Sequence, residues 1–193
     1  MGKIVKLGLV LFVITAVTGL ILGAVHTVTL EPIRRSQEKA KNEALSATLP
    51  GAKDFKAIEI KGDAGIIKEI FEDISFCCKN LCCDKLYNFT VTPKGYGGPI
   101  EFVVGISNDG LVKDIKILTS SETPGLGAKA ADEPFAGQFR DRKAQELAVT
   151  KTPPENDAQI QAISGATISS SAVVTGVNAA VSYWKNNLGG GDK

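Results

Sequence analysis

The chain has 193 residues, which is room for one domain or for one domain with a membrane anchor. Its 22 basic and 21 acidic side chains nearly cancel, which argues against a nucleic acid partner. Apolar residues make up 44% of the chain and exclude disorder over its whole length. The single histidine, His26, excludes a metal centre with several histidine ligands, and we predict no metal site.

An uncharged apolar segment from Leu7 to Val25 follows two lysines. As a helix, its 19 residues would span roughly 28 Å, close to the hydrocarbon thickness of a bilayer. A cleaved signal peptide, which would need a small residue in place of Leu22, and a buried core helix are the alternatives. We predict a transmembrane anchor over residues 1–30, in contact with membrane lipid. Lys3 and Lys6 on its short side favour an extracytoplasmic domain.

Apolar residues recur at helical spacing in the polar, alanine-rich segment that follows, and Pro50-Gly51 ends the pattern. We predict a helical connector over residues 31–50, which serves as a solvated stalk. Residues 51–188 are predicted to form one domain, and residues 189–193 a flexible tail.

Apolar residues at every second position predict strands over residues 87–92, where polar residues separate them cleanly, and over residues 100–106. Ser107 to Gly110 has the composition of a hairpin turn and leads into a third strand at Val112–Leu118. Residues 55–60 and 66–76 are further strand candidates. The last element, Ser169 to Leu188, is predicted to be a helix with one apolar face. The fold class is therefore α+β, an antiparallel sheet with flanking helices.

Four cysteines lie close together at positions 77, 78, 82 and 83. Disulfides or free thiols are favoured outside the cytoplasm or in an anaerobic host, and a metal site is the alternative. Adjacent cysteines in a strand point to opposite faces, which disfavours convergence of all four on one ion. The state of these cysteines stays open.

Three segments of small residues are candidates for a ligand site. Lys94–Pro99 and Glu122–Gly127 are glycine-rich and follow predicted strands, so they form either tight turns or a close approach to a ligand. Residues 163–171 lead into the last helix, whose unpaired N-terminal amides and dipole suit a phosphate group. An ordinary serine-rich helix cap is the alternative for that segment.

The motifs GYGGPI, ETPGLG and SGATISSS, in this order, resemble the FMN-binding domain of membrane redox complexes. With the N-terminal anchor and the chain length, they are similar to the RnfG family, the G subunits of Rnf electron-transport complexes. The NqrC family, the C subunits of sodium-translocating NADH:quinone reductases, is the related alternative.

This resemblance implies an FMN that is covalently attached through its phosphate to Thr167 by a separate flavin transferase. It therefore implies no catalytic residue in this chain. Further contacts with the FMN are implied for the residues around Thr167, for the ETPGLG motif and for one tyrosine. They are Ser164, Gly165, Ala166, Ile168, Ser169, Ser170, Glu122, Thr123, Pro124, Gly125, Leu126, Gly127 and Tyr96. Ser169 or Ser170 would also stabilise the phosphoester.

The resemblance also implies a function and partners. The chain would relay electrons within an ion-translocating ferredoxin:NAD oxidoreductase, as one component of the complex and not as an independent catalyst. Its partners would be the integral-membrane and peripheral subunits of that complex. The family signature usually has Asp three residues before the Ser, where this chain has Gln161. This departure supports an extracytoplasmic scaffold with a vestigial flavin site. A serine hydrolase is disfavoured, because His26 lies at the membrane edge.

Overall fold

The computed structural model describes residues 2–48, 55–60, 65–73 and 85–189. The chain divides into two compact units, residues 1–41 and 42–193. Helix α1 (Lys3–Thr48) supplies the whole described part of the first unit and the beginning of the second.

In the first unit, the large apolar side chains of α1 from Val5 to Ile33 are exposed to solvent. The helix is long and apolar enough to cross a membrane, and none of the 18 residues in its most apolar stretch is buried. Pro32 lies inside α1, so the helix continues from the predicted anchor into the predicted connector. Proline removes one backbone hydrogen bond and its ring crowds the carbonyl four residues earlier, which weakens or kinks a helix without always ending it.

The second unit contains a six-stranded antiparallel sheet whose strands follow one another in chain order. The strands are β1 (Phe55–Ile58), β2 (Ile67–Asp73), β3 (Leu86–Val91), β4 (Ile100–Ser107), β5 (Leu111–Ser120) and β6 (Arg142–Lys143). A separate parallel pair joins β7 (Ala148–Thr150) and β8 (Gln159–Gln161). The helices are α2 (Glu133–Ala136) and α3 (Thr167–Asn187), with short 3-10 turns at Gly127–Ala131 and Gly137–Phe139.

The predicted α+β class with an antiparallel sheet is confirmed. The two strands predicted from alternation correspond to β3 and β4, the strand predicted after the hairpin turn corresponds to β5, and the predicted last helix corresponds to α3. The two weaker strand candidates correspond to β1 and β2 over their described residues. The four cysteines, Pro50-Gly51 and residues 190–193 of the tail lie outside the described residues.

The alternation of β4 places its side chains on two different faces of the sheet. Phe102 and Val104 are fully buried in the main core, together with Val177 and Val181 of α3. Val103, between them in the chain, faces the opposite side. Burial on both faces explains why β4 is almost continuously apolar.

The face of the sheet opposite α3 is covered by the last turns of α1. Ala44 and Leu45 are buried against Val103. Thr48 donates a hydrogen bond of 2.8 Å from its hydroxyl to Oδ1 of Asn88, whose side chain is fully buried in β3. Residues 42–48 of the predicted connector are therefore part of the folded domain.

A surface ion cluster joins α2 to the sheet. The Arg140 guanidinium donates to Asp114 of β5 at 3.0 Å and to Glu133 of α2 at 2.6 Å. The hydrogen bond from Arg140 lowers the pKa of the Glu133 carboxyl below its usual value. This cluster holds the segment between β5 and β6 against the sheet.

Two truncations test the role of residues 42–48, the last turns of α1. We expect deletion of residues 1–30 to give a soluble, folded domain, because it removes the exposed apolar helix and keeps residues 42–48. Deletion of residues 1–50 should lower the free energy of unfolding further, by about 3 kcal/mol, because burial of Leu45 and a partner of Asn88 are lost. Urea unfolding of both variants measures the difference. Recovery of the shorter truncation only from membranes would argue against a single N-terminal span.

Candidate cofactor site

Three segments that are far apart in the chain meet at one end of the sheet. They are the Lys94–Pro99 loop between β3 and β4, the exit of β5 at Glu122, and the first turn of α3. The antiparallel register of β4 and β5 pairs Ile100 with Ser120, which brings the end of β5 beside the Lys94–Pro99 loop. The sheet register thus unites the two glycine-rich segments.

The carboxylate of Glu122 joins all three segments and is almost completely buried. Its Oε1 accepts hydrogen bonds from the backbone N–H of Tyr96 at 2.7 Å and of Gly97 at 3.1 Å. Its Oε2 accepts a hydrogen bond of 2.9 Å from the hydroxyl of Ser169 in α3. One side chain therefore connects the Lys94–Pro99 loop to the helix.

Two glycines of the predicted motifs are required by this geometry. A Cβ on Gly127 would overlap the Glu122 carboxylate and lie 2.6 Å from the Ser169 hydroxyl oxygen. Gly165 has a φ of 77°, in the left-handed region that favours glycine, and it turns the chain into α3. Gly127 therefore lets the backbone pack directly against the buried carboxylate, and Gly165 permits the turn that begins α3.

The first turn of α3 keeps free backbone donors. The helix begins after Ala166, which makes no side-chain cap hydrogen bond. Among the described residues, the N–H groups of Thr167, Ile168 and Ser169 have no hydrogen-bond acceptor. The Thr167 hydroxyl likewise has no hydrogen-bond partner there and is half-buried. The ordinary side-chain cap considered for this segment is therefore not formed.

The two serines that follow have other roles. Ser169 is engaged with Glu122, as described above. The Ser170 hydroxyl accepts a hydrogen bond from the Ile163 N–H at 3.0 Å and donates one to the carbonyl of Ala166 at 3.0 Å. The open donors for an anion are thus the backbone amides and the Thr167 hydroxyl, rather than the serine hydroxyls.

A cavity of about 470 Å³ opens at this place. It is lined by Tyr96, Glu122, Thr123, Leu126, Gly127, Gly165, Ala166, Thr167, Ile168 and Ser169. Its rim contains Tyr96, Leu126 and Ile168, which are 74%, 45% and 58% exposed. Among the described residues of the second unit, these three are the only exposed large apolar side chains.

The cavity has the properties that FMN requires. Its volume lies in the usual range for cofactor pockets, roughly 300–1,000 Å³. The apolar rim suits a flat aromatic ring, and the open amides at the start of α3 suit a phosphate. The cavity therefore has an apolar surface next to open anion-binding donors, and FMN has a flat aromatic ring system at one end and a phosphate at the other.

The structure brings most of the predicted cofactor residues to this cavity. Four of them do not line it: Ser164, Pro124, Gly125 and Ser170. Gly97, which belongs to the predicted Lys94–Pro99 segment but does not line the cavity, contributes its N–H to Glu122. The run of glycines after the first predicted strand was the signal that pointed to it.

Gln161 lies at the exposed end of β8, before the turn into α3. Its backbone N–H donates to Gln138 Oε1 at 2.8 Å, and its carbonyl accepts from Gln138 Nε2 at 3.3 Å. The backbone at this position is therefore held by Gln138.

Comparison with known proteins agrees with this site. Residues 95–182 match the FMN-binding domain family. The G subunit of the Na(+)-translocating ferredoxin:NAD(+) oxidoreductase complex of Acetobacterium woodii is 37% identical, over 94% of this chain and 91% of the relative. The chain belongs to the RnfG family of ion-translocating oxidoreductase complexes.

Two further members of the RnfG family have similar coverage. The G subunit of the proton-translocating ferredoxin:NAD(+) oxidoreductase complex of Clostridium ljungdahlii is 35% identical, over 90% of this chain and 88% of its own. The G subunit of the ion-translocating oxidoreductase complex of Methanosarcina acetivorans is 32% identical, over 94% of each chain. The family stated from the three motifs is thereby confirmed, as is the prediction of a component of an oxidoreductase complex.

The fold of this RnfG-family chain is shared with a solved structure. The C subunit of the Na(+)-translocating NADH-quinone reductase from Parabacteroides distasonis superposes with a TM-score of 0.59 and 17% identity. The match covers 80% of this chain and 94% of the other. The two families thus have one domain architecture, an antiparallel sheet with flanking helices.

Proposed function

We propose that this RnfG-family chain is a membrane-anchored electron carrier with FMN attached covalently through a phosphoester to Thr167. It relays electrons within an ion-translocating ferredoxin:NAD(+) oxidoreductase complex, as the names of its relatives describe for theirs. The single observation that carries the proposal is the place of Thr167. Its hydroxyl, which has no hydrogen-bond partner in the described part of the chain, lies in the cavity wall beside the open amides of α3.

Each part of the cavity has a role in holding the cofactor. The amides of Thr167, Ile168 and Ser169 stabilise the negative charge that the phosphodiester retains. The apolar rim at Tyr96 and Leu126 covers the ring system and excludes water from it. FMN, when bound, supplies the reversible uptake and release of electrons. Covalent attachment keeps this carrier from being lost by dissociation.

The N-terminal segment supports a membrane anchor with the FMN domain outside the cytoplasm. Residues 1–30 anchor the chain in lipid, and the folded domain, which begins at residue 42 within the predicted connector, holds FMN. Lys3 and Lys6 favour a cytoplasmic N-terminus and an extracytoplasmic FMN domain. Membrane and peripheral subunits of the complex are its partners, and a flavin transferase acts on it during maturation.

A denaturing gel and an intact mass test the proposal. The full chain is purified from a host with an active flavin transferase and is then unfolded. We expect a fluorescent band under ultraviolet light and a mass excess of one FMN minus one water, because the cofactor cannot dissociate. Unmodified protein from such a host would refute covalent attachment.

The scaffold alternative depends on Gln161 and is tested there. Since Gln161 is exposed and its backbone is held by Gln138, Gln161→Asp should leave the fold intact. We expect flavin transferase to modify both the wild type and Gln161→Asp in vitro, the variant at a higher initial rate. Modification of the variant alone, followed by intact mass, would identify the natural site as vestigial.

A further inference from the structure

Glu122 is a buried carboxylate in the wall of the cavity. Among the described residues, no Lys or Arg nitrogen forms an ion pair with it. All its hydrogen bonds come from neutral donors, the N–H groups of Tyr96 and Gly97 and the hydroxyl of Ser169. A buried carboxylate surrounded by donors is stabilised as an acceptor, but its negative charge is not neutralised.

The same carboxylate determines the shape of the cavity. Tyr96 on one side and Ser169 on the other both line the cavity, and they are joined through Glu122. Without the hydrogen bonds to Glu122, the Lys94–Pro99 loop would be held near the cavity mainly by backbone hydrogen bonds within the loop and across its two ends. The Gly127 backbone packs closely against Glu122 and Ser169, so a larger residue at position 127 would displace the two side chains.

We propose that Glu122 is the positioning residue of the cavity. Its carboxylate fixes the Lys94–Pro99 loop against the first turn of α3, and its negative charge lowers the reduction potential of the bound flavin. The second effect rests on the proposed function, because a negative charge in the cavity wall disfavours the addition of electrons to the flavin.

Two substitutions separate geometry from charge. Glu122→Asp keeps the charge but is one methylene shorter, so its carboxylate no longer reaches both the Tyr96 N–H and the Ser169 hydroxyl. Glu122→Gln keeps the length and one acceptor oxygen but removes the charge. Glu155→Gln is the matched control, because Glu155 is exposed and its side chain makes no hydrogen bond or ion pair among the described residues.

The geometric effect is measured without flavin. Full-length chains from a host that lacks flavin transferase are kept in detergent micelles, and hydrogen exchange is followed in a peptide that covers residues 94–98. We expect exchange at least about tenfold faster in Glu122→Asp than in Glu155→Gln, because the shorter carboxylate no longer ties the two loop amides to Ser169 of α3. Unchanged protection of β4 shows that the variant is folded. Equal exchange in Glu122→Asp and the control would overturn the positioning role.

The electrostatic effect is measured on flavin-loaded chains by potentiometric titration with dithionite. We expect Glu122→Gln to shift the reduction equilibrium about tenfold toward reduced flavin, roughly 30 mV for a two-electron couple. Glu122→Asp should shift it less. Equal potentials in the wild type and Glu122→Gln would overturn the electrostatic role. A wild type that carries no FMN would refute the proposed function, whereas the exchange experiment would still decide the positioning role.

Discussion

Thr167→Ala should abolish both the ultraviolet fluorescence of the denatured band and the mass excess of one FMN minus water. The reason is chemical, since the phosphoester needs a hydroxyl and alanine has none. Thr167 begins α3, and its hydroxyl makes no hydrogen bond among the described residues. Its removal should therefore change the free energy of unfolding by no more than about 0.5 kcal/mol. Intact mass spectrometry and urea unfolding of the same sample measure both effects.

Two further variants serve as controls for this result. Thr123 also lines the cavity, and Thr123→Ala should remain fully modified. Thr167→Val preserves the β-branched shape without the hydroxyl and should behave as Thr167→Ala does. Persistent modification of Thr167→Val would place the attachment at another residue.

Phe102→Ala should lower the free energy of unfolding by about 3–5 kcal/mol, the usual cost of removing a fully buried phenyl ring. Phe102 is fully buried in β4, at the contact with α3. The loss is measured by urea unfolding of the variant that lacks residues 1–30. Thr175→Ala, on the exposed face of α3, is the control and should change the free energy by less than about 0.5 kcal/mol.

The partner of Phe102 across the interface makes the prediction more specific. A Cβ on Gly176 of α3 would lie 2.5 Å from the Phe102 ring. Gly176→Ala should therefore destabilise the domain by about 1–3 kcal/mol, although alanine favours helices. In the double variant Phe102→Leu, Gly176→Ala, the loss of unfolding free energy should be smaller than the sum of the losses in the two single variants, by at least about 0.5 kcal/mol. Strict additivity would show that the two residues do not compete for this space.

The strands were predictable because their signal is local. Alternation of apolar residues located β3 and β4, and the hairpin turn at Ser107 to Gly110 located β5. The extent of α1 was less predictable, because local patterns do not say where a helix is covered. Residues 42–48 look like a polar stalk in the sequence, yet Ala44 and Leu45 are buried against Val103 on the sheet.

The sequence predicted which residues form the site better than it predicted what each of them contacts. Recognition of the three motifs placed Thr167, Glu122 and Tyr96 in one site before their proximity was known. The roles of Ser169 and Ser170 were less predictable, since both were expected near the phosphoester. Their hydroxyls instead bind Glu122 and the backbone around Ile163. A hydroxyl's partner depends on what tertiary folding brings near it.

The sequence by itself determined a neutral chain with an apolar N-terminal segment, an antiparallel α+β domain and a small-residue turn before its last helix. These features follow from composition and from spacing between near neighbours. Only the tertiary structure decided that Glu122 joins the cavity walls. Its hydrogen bonds reach residues 26, 25 and 47 positions away, to Tyr96, Gly97 and Ser169. Contacts of that range are created by strand register and helix packing, so no local pattern in the chain encodes them.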